Sequence, residues 1–153
     1  MLSQNNFLPI FIPMDRNEDI PFIQAISDAQ GGKIPDLRKV TTPSQLQARV
    51  ARMETVVAMR LHAGILASTV GVPPLMVSYD PKVAAFAKLL DLGNAIPVEG
   101  LTPQRLFENF QDFAKNREKH TQNVERRRQD MIRQAMVSVQ VVVEGVLGSP
   151  VSA

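Results

Sequence analysis

The chain has no cysteine and no tryptophan, and one Tyr and seven Phe are its entire aromatic complement. Without cysteine there is no disulfide framework, no thiolate metal site and no thiol nucleophile, which fits a reducing compartment. Charge of one sign is also scarce. The net charge of +2 is the balance of 17 basic against 15 acidic residues, so a sequence pI of about 9.2 does not amount to a basic patch. No basic run is interleaved with aromatics as a stacking platform for nucleic acid requires, and nucleic acid is not an expected partner. No segment approaches the roughly 20 apolar residues of a spanning helix. The opening MLSQNNFLPIFIPMDRNED lacks a basic n-region and has a short apolar stretch, unlike a signal sequence. The expected location is the cytoplasm, with at most peripheral contact at the inner face of the membrane. No GxGxxG follows a strand and no Walker lysine motif occurs. The two histidines are far apart in sequence, so no metal site is expected.

What is present is enough apolar sequence for a core: 44% of 153 residues are apolar and 21% charged. That size and balance predict one domain over residues 1–153. Phe7 to Pro13 is a continuous apolar run of the length of a strand buried on both faces. Asp15 to Asp19 reads as a polar turn. Ile20, Phe22, Ile23 and Ile26 then recur at helical spacing until Gly31 and Gly32. Asp36 to Val40 is a weak strand candidate. Thr42, Pro43 and Gln45 form a helix start, with threonine as N-cap, and that helix runs to about Met53. A strand at Thr55 to Ala58, a helix from Arg60 to Val70 and a strand at Pro74 to Ser78 follow. Asp80 and Pro81 open a helix to about Leu90, with Val83, Phe86, Leu89 and Leu90 inward. Ala95 to Val98 reads as a short strand. Thr102 and Pro103 open a helix with Leu106, Phe110 and Phe113 on one face.

From His120 the pattern lengthens. Val124, Met131, Ala135, Val139, Val142 and Val146 keep helical spacing, interrupted by Gly145 and Gly148, and predict a long helical segment at 120–148. The alternation at Val137 to Val143 also permits a strand, and the continuous period favours helix. Strands alternating with helices of about ten residues give an α/β fold, a Rossmann-like parallel sheet with helices on both faces.

In such a sheet ligands bind beyond the carboxyl ends of the strands, where helix N-termini present free N–H groups. Two strand ends carry chemistry. Arg60, Leu61 and His62 follow the strand at Thr55 to Ala58, and Tyr79, Asp80 and Lys82 follow Pro74 to Ser78. A guanidinium, an imidazole and a positive helix end suit one anion, because the planar fork of arginine matches carboxylate and phosphate oxygens in pairs. The helix after Arg60 is built for close approach, with Ala63 and Ala67, and Gly64 and Ser68, as small residues four apart. Plainer roles compete. From the residues alone His62 reads first as a hydrogen-bonded structural residue and Asp80 first as an N-cap, while Arg60 reads also as a cap on a neighbouring helix. Lys82 opposes the helix dipole, which favours an anion nearby. Asp15, Glu18 and Asp19 read as a solvated loop before they read as a polar rim. Glu125 to Asp130 (ERRRQD) reads as a solvated helix face, and secondarily as a contact for anionic lipid headgroups.

The segment MRLHAGILASTVGVPPLMVSYDPKVAAF resembles the signature region of the polysaccharide pyruvyl transferases, and FIPMDRNEDIPF extends the resemblance backward more loosely. The resemblance implies the C-terminal half of a GT-B fold, whose N-terminal Rossmann-like half is expected as a partner domain. It implies transfer of pyruvate from phosphoenolpyruvate to a hexosamine of a cell-wall polysaccharide as a cyclic ketal, of the kind that anchors surface layers. No cofactor beyond the phosphoenolpyruvate donor is implied, and the glycan acceptor is lipid-linked or free. Arg60, Leu61 and His62 would line the donor site, with Arg60 and His62 catalytic and Tyr79, Asp80 and Lys82 also contacting substrate. Competing expectations are the nucleotide-sugar domain of a GT-B glycosyltransferase and a non-catalytic anion-binding module. An apolar stripe in the last segment would pack on its own domain, meet the partner half or pair two copies of the chain.

Overall fold

The structure, a computed structural model, describes residue 2, residues 6–32 and residues 34–147. Its elements in chain order are α1 (Arg16–Ala29), α2 (Pro43–Val50), β1 (Val56–Ala58), α3 (Leu61–Thr69), β2 (Pro74–Ser78), α4 (Pro81–Leu89), β3 (Ile96–Pro97), α5 (Pro103–Lys115) and α6 (Arg117–Leu147). The three strands form one parallel sheet in the order β1-β2-β3. Val56 pairs with Pro74 and Ala58 with Met76, while Val77 pairs with Ile96. The fold is α/β and Rossmann-like, as the alternating pattern predicts.

The central strand explains the two layers. Pro74 and Met76 point to one face, and Leu75 and Val77 to the other. Met76 packs with Val50 of α2, Ala67 of α3 and Val83 and Ala87 of α4. Leu75 and Val77 pack with Phe110 and Phe113 of α5 and Val124 of α6. β2 is therefore buried on both sides and reads as an unbroken apolar run. β1 is covered on one side only, since Val57 on the second face is 47% exposed.

Helix boundaries follow short-range chemistry. Thr42, Asp80 and Thr102 accept a hydrogen bond from the first turns of α2, α4 and α5, each with proline at the first helical position. At the far end of α3, Gly71 takes φ 79°. Its N–H meets the carbonyl of Ser68 while that of Val72 meets Ala67, a Schellman stop. Asp91 occupies the equivalent position after α4 with φ 54°, a conformation usually left to glycine.

Asp91 holds that position because its carboxylate is used. Arg126 reaches it at 2.7 Å and Arg127 grips both oxygens, at 2.8 and 2.9 Å. Asn123 donates to the Asp91 carbonyl at 2.9 Å. Hydrogen bonds from Arg127, and the charges around it, hold the Asp91 carboxyl below the usual carboxylate range. The run ERRRQD is thus not simply a solvated face. Two of its arginines dock α6 onto the end of α4, and Arg128 pairs with Glu125 at 2.8 Å.

Several expectations change. Phe7 to Pro13 is not a strand buried on both faces: it makes a single parallel bridge, Phe11 to Asp36, and Leu8 is 73% exposed. Pro9 and Pro13 carry no N–H, so a ladder cannot propagate along the segment. Asp36 to Val40 is likewise reduced to that bridge, because the Asp36 carboxylate turns back to accept from the N–H of Arg38 at 2.9 Å. The expected polar turn at Asp15 to Asp19 is the first turn of α1, with Asp15 as its N-cap. Within α1, Phe22 is exposed and Ile23 is buried. α2 ends at Val50 rather than Met53. In α4 the inward stripe is Val83, Ala87 and Leu90, and Leu89 faces out. α6 continues through Gly145, where glycine does not break it. Val139 and Val142 are exposed. The expected break at Gly148 and the inward side chain at Val146 lie outside the described residues.

Candidate functional site

The carboxyl ends of β1 and β2 lie side by side in the parallel sheet, about 4.8 Å apart in strand spacing. They differ in how the following helix begins. Arg60 takes the N-cap position of α3 with extended backbone, φ −87° and ψ 132°, and its side chain makes no capping hydrogen bond. Among the described residues no acceptor meets the N–H of Leu61 or His62, so this end of α3 presents free donors. Leu61 packs inward against the core, whereas His62 is exposed on the first turn. The helix sits close to the sheet because Gly64 lies on it. A methyl built there would come within 2.6 Å of Met76 Sδ and 3.2 Å of Phe86 Cε1.

Arg60 is not free. Its Nη2 donates to Glu18 Oε2 at 2.9 Å and to Asp19 Oδ1 at 3.2 Å. These acids belong to the first turn of α1, so the solvated loop expected there is instead a rim of the site. Asp19 is fixed from behind, since its Oδ2 accepts from the N–H groups of Met14 and Asp15, each at 2.8 Å. Burial opposes its charge, and the two backbone donors with Arg60 outweigh that, holding the carboxyl below the usual carboxylate range. Glu18 is 70% exposed in its side chain, so its pairing is a surface contact of the weak kind. Hydrogen bonds to Glu18 and then Asp19 hold the guanidinium proton of Arg60 more firmly than usual.

At the end of β2 the chemistry is reversed. Asp80 Oδ1 accepts from the N–H of Lys82 at 2.8 Å and plugs the start of α4. Ser78 Oγ donates to the Asp80 carbonyl at 2.8 Å. Tyr79 is 67% exposed, and Lys82 projects from the first turn into solvent. An open groove of about 440 Å³ runs here, lined by Ser78, Tyr79, Asp80 and Pro81 and by Pro97, Val98 and Glu99 after β3.

The expected residues therefore fall into two groups. Arg60, Leu61 and His62 share one helix end. Tyr79 and Asp80 share the groove with Glu99, and Lys82 lies just beyond it. Among the described residues no hydrogen bond or ion pair joins the groups. Ser78 and Glu99 were not expected as site residues, although Glu99 directly follows the strand expected at Ala95 to Val98, which forms over Ile96–Pro97. Among the described residues no cluster of three or more His, Asp or Glu side chains is disposed to hold a metal ion.

The part of the chain that builds the first group and most of the second also decides the relationship. A family model, polysaccharide pyruvyl transferase, matches residues 2–81, more than half of the chain. The chain belongs to that family. Comparison with curated proteins and with solved structures gives no significant match. The matched residues of this transferase-family chain include α1, α2, β1, α3 and β2. They take in Arg60, Leu61, His62, Tyr79 and Asp80 and stop one residue before Lys82. Glu99 and the docked helix α6 lie beyond the match. No helix among the described residues is long and apolar enough to cross a membrane.

Proposed function

We propose that the uncapped end of α3 binds phosphoenolpyruvate, the donor in pyruvyl transfer to a hexosamine of a cell-wall polysaccharide. The observation that carries this reading is the placing of Arg60 and His62 at one open helix N-terminus, beyond a parallel strand and inside the family match. An anion arriving there meets the free N–H groups of Leu61 and His62, the helix dipole and the guanidinium. Nε and Nη1 of Arg60 are not used by Glu18 or Asp19, and they suit a carboxylate or phosphate.

In the proposed reaction the enol methylene carbon takes a proton and its neighbour becomes electrophilic. One acceptor hydroxyl adds to that carbon, a second displaces phosphate, and both lose their protons, leaving a cyclic ketal and inorganic phosphate. His62, exposed and free to move a proton, serves as acid or base or holds the leaving phosphate. Lys82, exposed on the first turn of α4 beyond the neighbouring strand β2, adds a further positive charge to this edge of the sheet. The chain acts as the donor-binding half of a GT-B-like transferase whose other half holds more of the acceptor, lipid-linked or free. The reaction is placed at the cytoplasmic side of the membrane.

Titration of phosphoenolpyruvate into the chain, followed by calorimetry and amide NMR, tests this reading. Shifts are expected at Arg60 to Ala63, and Arg60→Ala with His62→Ala removes them. In the complete transferase that pair of changes lowers turnover by about 10²–10⁴-fold. Shifts produced by a nucleotide sugar in place of phosphoenolpyruvate would assign the chain to glycosyl transfer. Binding of phosphoenolpyruvate without turnover in the complete enzyme would leave an anion-binding module.

A further inference from the structure

The groove beside the donor end has the wrong charge for a donor. Its lining contains two carboxylates, Asp80 and Glu99, and no cation. An anion placed there would meet like charge at a few ångströms, where repulsion is strongest. The same lining is well suited to a neutral polyol. Tyr79 offers an exposed ring, which covers the apolar C–H face of a sugar, and Pro81, Pro97 and Val98 add apolar walls. Ionised carboxylates only accept hydrogen bonds, and hydroxyl groups donate them. Asp80 has Oδ2 to spare among the described residues, its Oδ1 being taken by the N–H of Lys82. Glu99 is exposed at the other wall, 19 residues further along the chain than Asp80, and the parallel pairing of β2 with β3 brings the two together. A volume of about 440 Å³ lies within the usual range of small-molecule sites, about 300–1,000 Å³.

We infer that this groove is a subsite for a neutral saccharide ring, stacked on Tyr79 and held through its hydroxyls by Glu99 and Asp80. It rests on the donor reading in one respect: the sugar bound here is the acceptor, one strand away from the anion at the end of α3. The chain thus carries part of acceptor recognition itself, and Tyr79 and Glu99 are positioning residues for the sugar.

Tyr79 is the only tyrosine of a chain without tryptophan, so its emission reports on the groove directly. The experiment titrates the chain with N,N′-diacetylchitobiose, a neutral disaccharide, and separately with phosphoenolpyruvate. Tyrosine emission and amide NMR are followed in both. The disaccharide is expected to change the emission with saturation and to shift Ser78, Tyr79, Asp80 and Glu99. Tyr79→Phe retains binding by NMR, whereas Tyr79→Ala weakens it by about 2- to 10-fold. Glu99→Gln weakens it without changing the stacking signal. Phosphoenolpyruvate is expected to shift Arg60 to Ala63 and leave Tyr79 silent. Disaccharide shifts at the groove with no phosphoenolpyruvate binding would sustain the subsite and remove the donor reading. Phosphoenolpyruvate binding at Arg60 with no disaccharide signal would do the reverse. Disaccharide binding unaltered in Tyr79→Ala, or phosphoenolpyruvate seated at Glu99, also overturns the subsite.

Discussion

The ends of β1 and β2 are neighbours built on one plan, a strand running into a helix, and they finish in opposite states. Asp80 closes the start of α4 with its own carboxylate, while Arg60 stands at the same position of α3 and leaves two N–H groups open. A carboxylate cap disfavours an anion at the closed end, and free N–H groups beside a guanidinium favour one at the open end. A helix start without a cap forgoes stability, and the acids of α1 replace part of it by holding Arg60 from outside. On the proposed reading the difference separates two tasks within one sheet edge: an anion at one strand end and a neutral sugar at the next.

The open end depends first on how near α3 lies to the sheet. Gly64→Val should be the most damaging change, since the added carbon meets Met76 and Phe86 in a filled core. A loss of about 3 kcal/mol in denaturant unfolding is expected, at the upper end of overpacking costs. A loss below about 1 kcal/mol would show that Met76 yields easily and that the close approach is not required.

The closed end is tested by Asp80→Ala. Loss of the N-cap should lower stability by about 1 kcal/mol. It should also open α4 to anions, so that phosphate added to the variant shifts the amide of Lys82. If the variant gains no anion response, the contrast between the two ends rests on Arg60 and not on capping.

Glu18→Gln probes the open end from its rim. Removing that charge frees Arg60 from a surface partner while Asp19, fixed by Met14 and Asp15, still orients it. Phosphoenolpyruvate should bind about 2- to 5-fold tighter, as expected for one exposed ion pair. Weaker binding would mean that Glu18 itself touches the ligand.

The two histidines divide in the same way, one at the open end and one in the packing. His120 stacks on Phe113 with ring centres 4.1 Å apart, and its Nδ1 is buried without a hydrogen-bond partner among the described residues. Burial, and then the charge of Lys119, pushes its imidazole below the ordinary value of 6.5. The unfolded chain therefore takes up this proton first. Stability present above about pH 6.5 should be lost as pH falls through the depressed folded value. His120→Phe keeps the stacked ring and should flatten thermal stability between neutrality and pH 5. An unchanged slope would place the effect on other groups.

Much of the fold was legible because its signals act within a turn. Proline after threonine or aspartate marked three helix starts, and the apolar run at Pro74 to Ser78 marked a strand, which the packing then shows to be buried on both faces. The same logic failed at Phe7 to Pro13. There the apolar run looked equally strong, but prolines within it remove the donors a ladder needs, and only one bridge forms. Leu89 and Leu90 could not be separated by pattern, since adjacent positions sit about 100° apart on a helix and either satisfies the period. At the candidate site the residue types at both strand ends were readable, as were Arg60 and His62 after β1. Their surroundings were not: Glu18 lies 42 residues from Arg60, and Glu99 reaches the groove of Tyr79 only through the pairing of β2 with β3.

By itself the sequence determined where helices begin, how strands and helices alternate, which small residues let α3 lie close to the sheet, and which residue types stand at each strand end. Those are consequences of backbone donors, side-chain volume and spacing over a few residues. Only the tertiary structure decided which charges meet. It brought Glu18 and Asp19 to Arg60, Arg126 and Arg127 to Asp91, and Glu99 to Tyr79. Ion pairing and groove formation act across a few ångströms of space, and chain distance carries no record of them until the sheet has set its register.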